Sequence, residues 1–170
     1  MEYRYKKVIV IGSPGSGKST FSRGLRDVTH LPLHHLDMLW HKPDKTNVSR
    51  EEFDRALDAV ISGDKWIIDG NYQRTLETRL KKCDAVFLFD LPPDVCLSGV
   101  RSRIGTKRDD MPWVEDAFDE EFRQCIIDFP KTKLPVIYAL LDKYKDGKSI
   151  KIFKAREVAD AYLRALGADK

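Results

Sequence analysis

A glycine-rich run near the start of the chain reads Gly12-Ser13-Pro14-Gly15-Ser16-Gly17-Lys18-Ser19-Thr20. The residues just before it, from Val8 to Ile11, are apolar and β-branched, which is typical of a short buried strand. The residues after it, from about Lys18 to Val28, place apolar side chains at helical spacing. The sequence therefore predicts a strand, a glycine loop and a helix in immediate succession.

The spacing of this run matches G-x-x-x-x-G-K-[ST], the phosphate-binding P-loop. Glycines let consecutive backbone N–H groups face one concavity at a helix N-terminus, where the helix dipole favours an anion. The Lys18 ammonium can reach the β- and γ-phosphates of a nucleotide, and the Ser19 hydroxyl can bind Mg²⁺. We therefore predict that residues 12–20 bind the triphosphate of a nucleotide together with Mg²⁺.

The size and composition of the chain restrict its class. Its 170 residues predict a single domain, and its net charge of +3 with 34% charged residues does not indicate nucleic-acid binding. The cysteines lack the spacing of a zinc site, and no apolar run approaches the roughly 20 residues of a membrane span. The N-terminal residues lack the apolar region of a signal peptide. We expect a soluble cytoplasmic protein without a membrane partner.

Apolar runs predict four more strands, which alternate with helices along the chain. They lie at about Leu31–Asp37, Lys65–Gly70, Asp84–Leu91 and Ser149–Phe153. The patterns between them predict helices, including one that Ser49 caps and one from Glu115 to Phe129 that Pro130 ends. Strands that alternate with helices favour a parallel sheet covered on both faces, so we predict a three-layer α/β/α fold with five strands.

Three predicted strands end in an aspartate, namely Asp37, Asp69 and Asp90. Ligands of parallel α/β sheets bind at the carboxyl ends of the strands, so these carboxylates are expected at the same edge as the P-loop. Phosphoryl transfer with Mg²⁺ needs an acid near the metal and, in some enzymes, a base for the acceptor hydroxyl. The prolines after Asp90 favour an ordinary turn role for it. For Asp37 and Asp69, spacing alone does not assign the metal and acceptor roles.

Cationic side chains follow the fourth predicted strand and its helix, at Arg101, Arg103, Lys107 and Arg108. Because phosphoryl transfer spreads negative charge over the equatorial oxygens, such side chains can stabilise the transferred group. The alternative is a solvated basic surface, but we expect at least one of these arginines to reach the phosphates. Residues 104–116 are predicted to form a short mobile lid. The basic residues late in the chain, which include Arg156, are predicted to be surface.

Several motifs together resemble the DNA topology modulation (FlaR-related) proteins, which look like members of the adenylate kinase-like P-loop kinases. They are GSPGSGKST at 12–20, HLDMLW at 35–40, WIIDGNYQRT at 66–75 and FDLP at 89–92. RDDM at 108–111 and DFP at 128–130 are similar to that family too, so the resemblance covers nearly the whole chain. It implies the strand order 2-3-1-4-5, an acceptor site over the second and third strands, and a lid after the fourth.

The end of the third strand departs from the adenylate kinase pattern. Adenylate kinases have Asp-Gly-Phe-Pro-Arg there, whereas this chain has Asp69-Gly70-Asn71-Tyr72-Gln73-Arg74, with one more residue and no proline. This departure from the adenylate kinase pattern favours a different acceptor pocket and counts against AMP as the acceptor. The residues expected to bind it are Asp37, Asp69, Gly70, Asn71, Tyr72 and Arg74. Asp37 stands where shikimate- and gluconate-type kinases carry an acceptor-side aspartate, which favours a small hydroxylated acceptor or an unusual nucleotide.

The hypothesis from the sequence is an ATP- and Mg²⁺-dependent kinase acting on a nucleotide or a small hydroxylated molecule. Lys18 and the P-loop amides hold the phosphates, and Ser19 and Asp69 hold Mg²⁺. Asp37 positions or deprotonates the acceptor hydroxyl. The arginines that close over the transferred group are Arg101, Arg103 and Arg108.

Two alternative functions stay open at this point. One is an NTPase switch that hydrolyses ATP without a small-molecule acceptor. The other is a nucleotide-regulated protein that affects DNA topology. The modest net charge counts against direct binding to nucleic acid, which depends on contacts between cationic side chains and phosphates.

Overall fold

The structure is a computed structural model that describes residues 3–169. Its strands are β1 (Lys7–Gly12), β2 (Leu33–His35), β3 (Trp66–Asp69), β4 (Ala85–Phe89) and β5 (Ser149–Phe153). Its helices are α1 (Lys18–Thr29), α2 (Leu36–Trp40), α3 (Arg50–Ile61), α4 (Gln73–Leu80), α5 (Pro93–Arg103), α6 (Glu120–Thr132), α7 (Leu134–Lys143) and α8 (Arg156–Ala168). Within the described range, none of these helices is long and apolar enough to span a bilayer.

The strands form one parallel sheet in the order β2-β3-β1-β4-β5. Parallel neighbours require crossover connections, and the helices that provide them cover both faces of the sheet. The predicted three-layer fold and the predicted strand order are therefore confirmed. At the centre, Val10 of β1 lies opposite Asp69 of β3, and Gly12 lies opposite Phe89 of β4. The P-loop and Asp69 consequently start from the same edge of the sheet.

Alternation along β1 divides the core into two layers. Val8 and Val10 belong to the apolar cluster that α1, α5 and α8 share, whereas Ile9 and Ile11 belong to the cluster that includes α3, α4 and α7. All four side chains are fully buried. Burial of apolar surface stabilises the fold by roughly 25 cal/mol per Å². This central strand is therefore held firmly in the core, and it fixes the position of the loop that follows it.

The second strand is shorter than predicted, and Asp37 does not end it. β2 stops at His35, which pairs with Asp69, the last residue of β3. Beyond Asp69 the neighbouring strand offers no further partner, so the chain turns into α2 and Asp37 lies in the first turn of that helix. The prediction that a strand carries Asp37 was therefore wrong, although Asp37 still lies at the same edge of the sheet.

The sixth helix also differs from the prediction. It begins at Glu120, where the Asp119 side chain accepts a hydrogen bond from the Glu121 N–H at 3.3 Å. It continues through Pro130, because a proline removes only its own N–H and the Lys133 N–H still bonds to the Phe129 carbonyl at 3.0 Å. Residues 104–119 therefore connect α5 to α6 without a helix or a strand, and we call them the connecting segment.

Candidate active site

Two cavities meet above the carboxyl edge of the sheet. One has a volume of about 480 Å³ and lies between the P-loop, α5 and α8. The other has a volume of about 560 Å³ and lies over the ends of β2 and β3. The residues that line both are Lys18, Ser19, Arg103, Arg108 and Asp110. We call the first the P-loop cavity and the second the strand-end cavity, and a group bound at their boundary is accessible from both sides.

The P-loop backbone depends on glycine at two points. Gly15 has φ of +79°, and a Cβ there would lie 2.1 Å from the Cys96 carbonyl oxygen of α5. Gly17 has φ of +99° and forms the N-cap of α1 without a side-chain cap. The N–H groups of the first turn of α1 are therefore not used by a capping side chain and face the P-loop cavity, where the helix dipole favours an anion.

Arg156 fixes the outer side of the P-loop. Its Nη2 donates to the carbonyl oxygens of Gly15 at 2.6 Å and Val95 at 3.2 Å, and its Nε donates to that of Ser16 at 3.4 Å. These bonds hold the P-loop carbonyls on the side of α5 and α8. The prediction that Arg156 is only surface was wrong, because nothing in its local sequence indicates a contact with residues about 140 positions earlier.

Ser19 and Asp69 lie together at the boundary of the two cavities. The Ser19 hydroxyl donates to Asp69 Oδ2 at 2.8 Å, and His35 Nδ1 lies 2.7 Å from the same oxygen. Burial alone would raise the pKa of Asp69, but the hydrogen bond with His35 and the charge of Lys18 hold that pKa below its ordinary value. Asp69 is thus an ionised carboxylate that is only 5% exposed.

These residues fit a bound Mg²⁺. Among the described residues, Asp69 Oδ1 is buried without a hydrogen-bond partner. Leaving a buried charged oxygen unpaired is costly, so this atom calls for a cation or a water. Mg²⁺ prefers carboxylate and hydroxyl oxygens, and both are present at Ser19 and Asp69.

Lys18 lies between the phosphate-binding amides and the carboxylates. Its Nζ donates to the Ser13 carbonyl oxygen at 3.0 Å. Burial lowers the pKa of the ammonium, and the charges of Asp69 and Asp37 act in the opposite direction. The ammonium is therefore a desolvated cation at the point where the two cavities meet.

Asp37 and Tyr72 form a pair in the strand-end cavity. The Tyr72 hydroxyl donates to Asp37 Oδ1 at 2.6 Å, and the Tyr72 ring stacks on Phe53 of α3. His41 Nε2 lies 3.9 Å from the same carboxylate oxygen. Partial desolvation by the cavity walls raises the pKa of Asp37, while the hydrogen bond from Tyr72 opposes that change. Asp37 is thus held in one orientation with a carboxyl group that binds a proton more readily than usual.

The structure separates the other predicted acceptor residues. Gly70 and Asn71 line the strand-end cavity, but both ends of the Asn71 amide bond to the backbone of Gly12, at 2.7 and 2.9 Å. Arg74 is not brought to the cavity, because its guanidinium forms a two-point ion pair with Asp54 of α3, the shorter contact being 2.6 Å. Asn71 therefore ties the loop after β3 to the P-loop.

The structure also separates the arginines that were predicted to close over the transferred group. Arg103 and Arg108 line both cavities and share Glu115 of the connecting segment, at 3.3 Å and 3.5 Å respectively. Arg101 is exposed, lines neither cavity, and lies over the ring of Phe118. The arrangement therefore brings two of the three predicted arginines to the boundary with Lys18.

Asp110 is a site residue that the sequence reasoning missed. Its Oδ2 lies 3.1 Å from the Ser19 hydroxyl oxygen and 3.6 Å from Arg108 Nη1. The sequence contains a weak signal for it, since Asp110 belongs to the RDDM motif, but nothing local separates it from the exposed Asp109 beside it.

Arg79 of α4 stabilises the loop after β3 by hydrogen bonds to its backbone. The side chain is fully buried and donates to the carbonyl oxygens of Gly70 at 2.9 Å, Tyr72 at 3.2 Å, and also Asn71. Burial lowers the pKa of its guanidinium to about 9, so the group stays charged at neutral pH. The conformation of the loop that lines the strand-end cavity therefore depends on one buried cation.

Replacing Arg79 by methionine is expected to lower the free energy of unfolding by about 3 kcal/mol. The apolar stem is kept, but the loop carbonyls lose their charged donor, and buried acceptors without a partner cost roughly 1–3 kcal/mol each. Urea denaturation measures the change, with the exposed Arg55→Met on α3 as the control. A loss equal to that of the control would show that the carbonyls do not need Arg79.

No protein-family model and no curated protein matches this chain. Solved structures do match. A shikimate kinase from Acinetobacter baumannii, in complex with shikimate, has a TM-score of 0.58 and 17% identity, over 98% of this chain and 96% of that one. A shikimate kinase from Bacteroides thetaiotaomicron has a TM-score of 0.56 and 16% identity, over 96% of this chain and 97% of that one. The chain therefore has the P-loop kinase fold that these enzymes share.

Proposed function

We propose that this protein is an ATP- and Mg²⁺-dependent phosphotransferase that acts on a small hydroxylated molecule or a nucleotide. The observation that carries the proposal is the pair of cavities that share Lys18, Ser19, Arg103, Arg108 and Asp110. Direct transfer requires a donor and an acceptor on opposite sides of one phosphoryl group, with cations around that group. An NTPase without an acceptor has no need of the second cavity.

The P-loop cavity takes the triphosphate. The P-loop, residues 12–20, binds the phosphates through those N–H groups that are not already bonded within the protein, as that of Gly12 is to Asn71. Lys18 adds its charge at the transferred group. Ser19 and Asp69 hold the metal, whose chemistry is to neutralise charge on the phosphate oxygens. Arg103 and Arg108 cover the same group from the connecting segment side and exclude water.

The strand-end cavity takes the acceptor. Asp37 accepts the proton of the acceptor hydroxyl as that oxygen attacks the γ-phosphorus and ADP leaves, and Tyr72 keeps the carboxylate oriented. Polar and aromatic side chains, including His41 and Trp113, line the rest of the cavity. The shikimate kinase neighbours support a hydroxylated acceptor. The role in acceptor binding that we assign to Arg74 requires the ion pair with Asp54 to open. The role of Arg101 over the transferred phosphoryl group requires the end of α5 to move, because Arg101 lines neither cavity.

We further propose that the chain is a single domain whose lid is formed by residues 104–116. Kinship with the DNA topology modulation proteins stays a proposal on the motifs quoted above. It is compatible with the fold and requires no direct contact with DNA.

ADP release from Mg·ATP tests the proposed function. The acceptor panel contains nucleoside monophosphates, nucleosides, polyols and hydroxy acids, with Lys18→Ala as the blank. We expect one acceptor class to accelerate ADP release well above the rate with ATP alone. A slow release that no acceptor changes would contradict the proposal and favour the NTPase switch.

The pH dependence of kcat/KM is expected to report Asp37. Because the pKa of Asp37 is raised, activity falls with decreasing pH at a higher midpoint than an ordinary aspartate gives. Tyr72→Phe removes the hydrogen bond that lowers this pKa, so the midpoint moves to higher pH. Tyr138→Phe, whose hydroxyl donates to Asp90 outside the cavity, leaves the midpoint in place. A midpoint that does not move in Tyr72→Phe would remove Asp37 from the role of base.

A further inference from the structure

Asp110 and Asp69 approach the same hydroxyl. Asp69 Oδ2 lies 2.8 Å and Asp110 Oδ2 lies 3.1 Å from the oxygen of Ser19. A serine hydroxyl carries one hydrogen, so it can donate to only one of the two carboxylates at a time. The other contact then joins two oxygen acceptors, an arrangement that a cation between them would stabilise.

Both carboxylates also have an oxygen without a partner. Within residues 3–169, Asp69 Oδ1 and Asp110 Oδ1 are buried and accept no hydrogen bond. The side chains are only 5% and 6% exposed, so water does not compensate them freely. The cationic side chains nearby are Lys18, Arg103 and Arg108. The ion pair of Asp110 with Arg108 has a nitrogen–oxygen distance of 3.6 Å. That distance is longer than a hydrogen bond, so the Asp110 carboxylate is incompletely paired.

The spacing of the oxygens suits Mg²⁺. Neighbouring ligands of an octahedral Mg²⁺, at 2.0–2.1 Å from the metal, lie about 2.9 Å apart. The observed separations from the Ser19 oxygen, 2.8 and 3.1 Å, bracket that value.

We propose that Asp110 is a further carboxylate of the Mg²⁺ site, and that metal binding thereby fastens the connecting segment over the P-loop. This inference rests on the proposed function, because it assumes that the protein binds a nucleotide together with Mg²⁺. Asp110 belongs to the connecting segment, whereas Ser19 and Asp69 belong to α1 and β3. One ion held by all three therefore joins the segment to the rigid sheet. Glu115 extends the connection, because its carboxylate pairs with both Arg103 and Arg108.

The test measures metal binding directly. Mn²⁺ replaces Mg²⁺, and the loss of its free electron paramagnetic resonance signal gives its Kd in the presence of a non-hydrolysable ATP analogue. Loss of one carboxylate near a metal typically costs 10- to 100-fold in metal affinity. We expect Asp110→Asn to raise the Kd of Mn²⁺ at least tenfold and to leave analogue binding in EDTA within about twofold of wild type. Asp109→Asn, the exposed neighbour, is expected to match wild type in both assays.

The second measurement needs no variant. Trypsin cleaves after the exposed Lys107 of the connecting segment, and Mg²⁺ with ADP is expected to slow this cleavage more than ADP in EDTA does. Equal cleavage with and without Mg²⁺ would overturn the inference. So would an Asp110→Asn variant that keeps the wild-type Kd for Mn²⁺, or one that weakens analogue binding equally in EDTA.

The outcomes also separate this inference from the proposed function. If wild type transfers phosphate but Asp110→Asn binds Mn²⁺ normally, the inference fails and the proposed function stands. If Asp110→Asn loses Mn²⁺ affinity but no acceptor is phosphorylated, the metal site stands and the proposed function fails.

Discussion

Lys18→Ala is expected to reduce kcat/KM for Mg·ATP about 10³-fold. The Lys18 ammonium lies where the two cavities meet, is partly buried, and is balanced by the carboxylates of Asp69 and Asp37. A preorganised charge in such a water-poor position stabilises the transition state by much more than it would in water, and loss of a comparable donor or cation costs roughly 10²- to 10⁵-fold. Steady-state ADP release measures the loss.

The control for this variant is Lys131→Ala, which removes an exposed lysine of α6. It is expected to keep wild-type activity. Thermal unfolding shows whether Lys18→Ala remains folded, because the lost bond to the Ser13 carbonyl is a modest contribution to stability. A folded Lys18→Ala protein with full activity would contradict the assignment of the phosphate site.

Asp37→Asn is expected to reduce kcat about 10³-fold while nucleotide affinity stays within about twofold. A positioned base typically contributes 10²- to 10⁴-fold, and asparagine cannot accept a proton at neutral pH. The amide oxygen can still accept the hydrogen bond from Tyr72, so the geometry of the cavity is preserved. Single-turnover transfer to the best acceptor of the panel measures kcat, and equilibrium binding of ADP measures nucleotide affinity.

The matched control is Asp58→Asn on the exposed face of α3. It is expected to change neither quantity. An equal loss of nucleotide affinity and kcat in Asp37→Asn would place Asp37 on the nucleotide side. No loss of kcat would leave the acceptor hydroxyl without an assigned base.

Local patterns were sufficient to predict the framework. The P-loop spacing predicts a strand that leads into the loop and a helix that begins within it, and β1 and α1 lie where the sequence indicates. The cap of α3 is equally local, because the Ser49 hydroxyl accepts the Glu52 N–H at 3.1 Å, only three positions away. Helical caps and strand patterns depend on neighbours along the chain, so they are visible in the sequence.

The partners of the site residues were not visible in the sequence. Asp110 meets Ser19 across 91 positions, and Arg156 meets Gly15 across 141. Nothing local indicates that Arg74 pairs with Asp54 on another helix, 20 positions away. Such contacts follow from how the helices and the connecting segment pack on the sheet. Motif spacing therefore indicates which chemistry is present, and packing decides which residues of a cluster take part.

The most direct test of the account follows the γ-phosphoryl group itself. ATP carrying an isotopic label in that group is incubated with Mg²⁺, the protein and the accelerating acceptor, and the products are separated. The account predicts that the label appears in the phosphorylated acceptor, in amounts equal to the ADP formed. If the label appears only in inorganic phosphate, water is the acceptor and the strand-end cavity does not bind a phosphoryl acceptor, which would contradict the proposed function.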